Sequence, residues 1–164
     1  MSFNFDEKAG EIRDGNIRYL LMRPDVLMGL VKYLNGNAKV EALKAFQKSA
    51  FENGKASLVH YRKFDFTDSD ELLAFICQTA SKLGWGNWAH TLDKNGIPVF
   101  TVNNSPFAAG YGQSDQPVCA PIGGILRALM EVYFAKDMVI KESSCVAQGA
   151  TSCRFEMHLS PQSS

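Results

Sequence analysis

Three cysteines and a glutamate, Cys119, Glu142, Cys145 and Cys153, are the residues whose types could do chemistry together. Thiolates and a carboxylate converging from separate elements are what a tetrahedral zinc site requires. The last three lie in Glu142-Ser-Ser-Cys145-Val-Ala-Gln-Gly149-Ala-Thr-Ser-Cys153-Arg-Phe155, two strand-like runs around a turn, and Cys119 precedes an apolar helical run. A hairpin turning at Gly149 sets Cys145 opposite Cys153, a placement that suits two metal ligands or a disulfide. Glu142 and Cys145 are three residues apart, so a regular strand points them to opposite faces. A shared ion therefore demands a bulge at Ser143-Ser144. Other readings stand beside this one: Cys119 as a buried hydrophobe, Glu142 as a solvated strand residue, and a Cys-x7-Cys spacing that is not diagnostic of zinc. Cys77, beside Phe75 and Ile76, reads as core.

The elements that must position these residues follow from pattern. Gly10 to Met22 reads as a hairpin turning at Asp14-Gly15. Pro24 opens a short helix that ends at Asn35-Gly36. A longer helix runs from Ala38 to Tyr61, with Gly54 either weakening it or marking close packing. Thr67 to Glu71 is an N-cap signal for a helix that stops at Gly84. Trp85 to Leu92 and Ile97 to Val102 form a second hairpin, in which Pro98 suggests an edge strand or bulge. Asn103 to Pro117, with two glycines and two prolines, reads as a loop and a candidate lid. Pro121 to Phe134 is an apolar helix, and Gly123-Gly124 within it marks close packing. Met138 to Glu142 and Cys153 to Leu159 close the chain. The expected class is α+β, an antiparallel sheet with helices packed on it, as one domain over residues 1–159 with a disordered tail at 160–164.

Composition bounds the function. The 164 residues carry 17 basic and 17 acidic side chains and are 46% hydrophobic. Such a chain can bury roughly 70% of its unfolded surface. Its neutrality offers nucleic acid or an anionic membrane no electrostatic attraction. No apolar run reaches spanning length, and Met1 to Lys8 lacks the pattern of a secretory signal. Four cysteines without a signal fit the reducing cytoplasm, the expected location.

The set Cys119, Glu142-x-x-Cys145 and Gly149-x-x-x-Cys153-x-Phe155, with Pro-Val-Cys119-x-Pro-Ile-Gly-Gly-Ile-Leu, resembles the signature of the 4-vinyl reductase domain family. That family includes sensory domains of aromatic-responsive activators and stand-alone proteins linked to bacteriochlorophyll synthesis, on a fold related to Golgi transport-complex subunits. The resemblance implies a closed structural zinc held by Cys119, Glu142, Cys145 and Cys153. It also implies a hydrophobic ligand, for which a tetrapyrrole is the expected class, and a partner in pigment synthesis or photosystem assembly. A homodimer is expected separately, because a domain of this layout would often pair through an exposed apolar helix.

Enzymatic chemistry finds little support. The sequence has no Gly-x-Gly-x-x-Gly between a strand and a helix, no nucleophile elbow and no His-Glu-x-x-His. Four protein ligands leave a zinc no open position. Trp85, Trp88, His90, Phe100, Phe107 and Tyr111 cluster in and after the middle hairpin and are the candidate ligand-binding residues, with plain core as the alternative. In family sensors a tryptophan and a histidine near this stretch hold a phenolic hydroxyl. His60 and His158 read as ordinary surface or packing residues. The expectation is a ligand carrier, with a sensor for small aromatics or a ligand-free dimeric module as alternatives. Because only five residues follow Leu159, a sensor is expected to signal through a separate protein.

Overall fold

Alternating and helical hydrophobic patterns resolve into two sheets and five helices among residues 3–61 and 64–160, which are those described in the computed structural model. A small antiparallel sheet is built from β1 (Asn4–Asp6), β2 (Glu11–Asp14) and β3 (Ile17–Tyr19). The hairpin expected from Gly10 thus supplies two strands of a three-stranded sheet. Its turn falls one residue later than read, at Gly15-Asn16 between the paired Asp14 and Ile17, with Gly15 at φ +58°. The main sheet contains β4 (Asn87–Leu92), β5 (Pro98–Asn103), β6 (Met138–Ser144) and β7 (Cys153–Leu159), antiparallel in the order β4-β5-β7-β6. The architecture is α+β. Residues 161–164 of the expected tail lie outside the described residues.

Helix α1 (Pro24–Lys32) begins on its proline, and α2 (Gly36–Tyr61) follows after a short break. Helix α3 (Ser69–Lys82) starts where the acidic run requires. Asp68 accepts the Glu71 N–H at 2.9 Å, while the Glu71 carboxylate accepts the Thr67 N–H at 2.7 Å. The two carboxylates thereby satisfy donors that a helix start leaves unpaired. Helix α5 (Ala120–Phe134) packs on α2 and on β6. Glycines permit the α2–α5 crossing. A methyl at Gly124 would run into the Gln47 carbonyl oxygen, and one at Gly54 would overlap Ile125 Cδ1. Both glycines therefore act through close approach, the second of the two readings the pattern allowed for Gly54.

Two expectations are overturned. Asn103 to Pro117 is not a mobile loop throughout, because Pro106–Tyr111 forms helix α4, capped by Ser105 and burying Phe107, Ala108 and Tyr111. Two of the four prolines and glycines that suggested a lid are this helix's start and stop: Pro106 at its first turn and Gly112, φ +81°, just past its end. Strand β5 is also central, not an edge. It tolerates Pro98 because pairing with β7 covers only Phe100 to Val102, which leaves the proline at the strand's first residue, beyond that ladder. The core between these layers is dominated by Phe100, Phe155, Met28, Leu73, Ile122 and Leu126. Among the described residues no helix is long and apolar enough to cross a membrane.

The α2–α5 contact makes a direct stability prediction. Gly124→Ala should cost about 1–3 kcal/mol by forcing helix backbones apart, measured by urea or thermal denaturation. Unchanged stability would mean the two helices do not approach as closely as described.

Candidate metal centre and a separate cavity

The demanded irregularity in β6 is present. Glu142 pairs with Phe155 but Ser144 pairs with Arg154, so Ser143 is an extra residue in the ladder. One additional residue reverses the alternation of faces and brings Cys145 inward with Glu142. The bulge is held by the Ser144 hydroxyl, which donates to the Ser152 carbonyl at 3.0 Å. A 3-10 turn at Val146–Gln148 and Gly149 at φ +91° then reverse the chain. Continued one step past Ser144 and Arg154, the register sets Cys145 against Cys153.

All four side chains meet. Cys119 Sγ lies 3.9 Å from Cys145 Sγ and 3.6 Å from Cys153 Sγ, and the latter two sulfurs are 4.0 Å apart. Four candidate ligand atoms, Glu142 included, fall within 4.8 Å of one another. These sulfurs are too far apart for a disulfide, and all four cysteines of the chain are free. Metal–sulfur bonds of about 2.3 Å in a tetrahedron would set sulfurs about 3.8 Å apart. One Glu142 oxygen, Oε2, accepts the backbone N–H of Cys119 at 2.9 Å, where α5 begins. The other, Oε1, is buried with no hydrogen-bond partner among the described residues. An orphaned buried carboxylate oxygen beside three free sulfurs fits a cation. The cluster could hold a metal ion.

Electrostatics give the same account. Hydrogen bonds with Cys145 and Cys153, and then burial, push the Cys119 thiol far up. Cys145 is pulled down to about 2 by hydrogen bonds from Cys119 and Cys153. The Cys119 contact lowers Cys153, but the bond to Cys145 and burial outweigh it, raising the thiol to about 12. Burial, and next the Cys145 sulfur, push the Glu142 carboxyl up to about 8. Without a cation, then, the cluster tolerates one negative charge and keeps its other protons.

A cavity of about 680 Å³ lies elsewhere in the fold, walled by the N-terminal sheet, all five helices and Trp88 of β4. Of the six candidate binding residues, Trp85, Trp88 and Phe107 line it. Phe107 stands edge-on to Trp85 at 5.1 Å. His90, Phe100 and Tyr111 do not line it. Phe100 is in the core, and Tyr111 is buried under Lys39, whose Nζ stands 5.6 Å from the ring centre. His90 Nε2 is 2.8 Å from Asp70 Oδ1, and its Nδ1 is 3.8 Å from Cys77 Sγ. The face shared by Trp88 and His90 is therefore not one aromatic surface: Trp88 is buried, whereas Leu92 at the strand's end is 57% exposed. Trp88 Nε1 is already spent on the Trp85 carbonyl at 2.9 Å. The polar groups of the wall come instead from Tyr19, Ser57, Tyr61, Thr79 and Lys82. Burial raises both the Tyr19 and the Tyr61 phenol, and holds the latter well above its ordinary range. Local pattern could not place Tyr61 here, because the residue reads as one more apolar position on α2.

Residues 98–159 match the sequence model of the 4-vinyl reductase domain. This stretch is similar to that domain family. It holds all four cluster residues, as the motif resemblance implied. No curated protein matches the sequence. The whole structure resembles the crystal structure of the phenol-responsive sensory domain of the transcription activator PoxR with phenol: TM-score 0.80, 22% identity, covering 94% of this chain and 83% of that one. A vinyl-4-reductase family protein from Methanocaldococcus jannaschii matches at TM-score 0.53 and 18% identity, over 84% of this chain and 91% of its own. A trafficking protein particle complex subunit 3 from Naegleria fowleri, covalently bound to palmitic acid, matches at 0.60 and 12%, over 84% and 95%. Identities this low establish a shared fold, which joins the 4-vinyl reductase domain to the transport-complex subunits.

Proton linkage yields a prediction for the domain's cluster. Glu142, raised from 4.5 to about 8, contributes stability that is lost as pH rises through its folded value. Cys145, lowered from 9.0 to about 2, contributes stability that is lost as pH falls, so the two slopes oppose each other between about pH 5 and pH 8. Metal-stripped protein should show little net pH dependence from the cluster in that window. Metal uptake at neutral pH should release about three protons, from Cys119, Cys153 and Glu142. Dye-monitored proton release in weak buffer measures this; a count near zero would refute the protonation pattern.

Proposed function

We propose that this chain is a metal-stabilised sensory domain that binds a small hydrophobic aromatic molecule. The observation that carries the reading is the apolar cavity walled by Trp85, Trp88 and Phe107, in a fold similar to that of a phenol-responsive sensory domain. Zinc is the proposed ion, held by Cys119, Glu142, Cys145 and Cys153. Bound by four protein ligands it offers no open position, so it would brace the fold and perform no catalysis. Tyr61 and Tyr19 are the proposed polar handles for a guest hydroxyl. They take the role that the resemblance implied for a histidine, since His90 is engaged with Asp70 away from the cavity.

A second reading, a carrier of a larger ring such as a tetrapyrrole, is supported by size. An apolar cavity of about 150 Å³ suffices for benzene, and this one is about 680 Å³, within the range of sites for drug-sized ligands. Exposed Leu20, Leu21, Val26 and Leu30 support a further protein surface, a second copy of the chain included, through which occupancy would be passed on.

Two measurements test the proposal. Titration with phenol, naphthol and a porphyrin should quench Trp85 and Trp88 fluorescence, and the tightest of the three selects between the readings. Ala80→Phe, which fills the cavity from α3, should weaken that uptake by at least about tenfold, since one buried ring displaces a guest of similar area. Quenching that survives this substitution would move the site elsewhere. Metal analysis should find one zinc per chain, and Cys153→Ser should lose it together with several kcal/mol of stability, because structural zinc binding is coupled to folding. Intact stability in a zinc-free variant would remove the bracing role.

A further inference from the structure

Helix α4 links the cysteine cluster to the cavity wall, and one buried hydroxyl bonds both the helix start and a cluster sulfur. Ser105 is 1% exposed. Its Oγ accepts the Ala108 N–H at 3.5 Å, as the helix cap, and lies 3.1 Å from Cys119 Sγ. With a lone pair turned to the helix N–H, the single hydroxyl proton is free to point at the sulfur. Two residues on, Phe107 stands in the cavity wall, edge-on to Trp85 and to Phe46. Past the helix's end, the Ser114 N–H donates to the Ala147 carbonyl at 2.9 Å, inside the turn between Cys145 and Cys153. Gly110 presses the helix onto the start of α1, where a methyl would run into the Pro24 carbonyl. The helix is thus gripped by the cysteine loop on one side and forms the cavity wall on the other.

We propose that Ser105 is a positioning residue that couples the metal centre to the cavity, bonding the Cys119 sulfur and the start of α4 through one oxygen. The inference rests on reading the cluster as a metal centre and the cavity as a binding site. A metal-bound sulfur is fixed in place and negatively charged, so the serine's bond to it is charge-assisted. Without an ion the same sulfur is one of three that compete for hydrogens, and the anchor of α4 loosens. Metal occupancy therefore sets how firmly Phe107 is held against Trp85.

The test compares the full chain and its Ser105→Gly variant, each cobalt-loaded and chelated. Glycine serves nearly as well as serine at an N-cap, so this change removes the sulfur contact and spares the helix start. Two readouts are followed: the cobalt–thiolate charge-transfer absorption, and hydrogen exchange at the amides of residues 108–112. In the unaltered chain, cobalt should slow exchange across α4. In Ser105→Gly the absorption should move to lower energy, cobalt should bind about tenfold more weakly, and α4 should exchange alike with and without metal. A band that does not move, or α4 protection that still follows the metal in the variant, would overturn the coupling. So would equal α4 exchange in the unaltered chain with and without cobalt, a comparison that requires no variant to fold. Absence of any cobalt–thiolate band in the unaltered chain would instead remove the metal reading itself.

Discussion

Three sulfurs and a carboxylate packed within 4.8 Å of one another, three of them fully buried, cannot all carry charge unless a cation sits among them. The rest of the C-terminal half is arranged around that constraint. The bulge at Ser143 turns Cys145 inward, the 3-10 turn and Gly149 return the chain to Cys153, and α5 begins with its Cys119 N–H on Glu142. Each device has a local cost: a broken ladder, a left-handed residue, a carboxylate taken from water. Three such costs converging on one point are what a site that could hold a metal ion would require.

The cavity answers to a different constraint. Its wall is drawn from the small N-terminal sheet, all five helices and Trp88 of β4, and none of the four cluster residues lines it. This division suits a module in which one half is braced and the other adapts to a guest. Leu20 and Leu21, in the cavity wall, are more than 70% exposed, whereas Cys119, Cys145 and Cys153 are fully buried. Helix α4 joins the two regions, and it is the element that pattern reading assigned to a loop.

Much of this was legible without coordinates. Glu142, Cys145, Gly149 and Cys153 carry their spacing in the sequence, and alternation alone requires the bulge at Ser143-Ser144 if one ion is shared. The α3 start is equally readable, since Asp68 and Glu71 satisfy donors within their own turn. Helix α4 was not, because six residues flanked by proline and glycine present too short a period to register. Nor was the split among the aromatic residues: alternation put Trp88 and His90 on one face, but Asp70, twenty residues earlier on α3, draws His90 aside.

What the residues alone determined is therefore the chemistry of the cluster and the local devices that shape it, because caps, bulges and turns depend on neighbours within a few positions. Which side chains stand around the cavity, that Tyr61 faces it, and that Ser105 reaches Cys119 were decided only by tertiary packing. Those contacts join elements far apart in the chain, and their geometry follows from how closely α2 and α5 approach and how the sheet orders its strands.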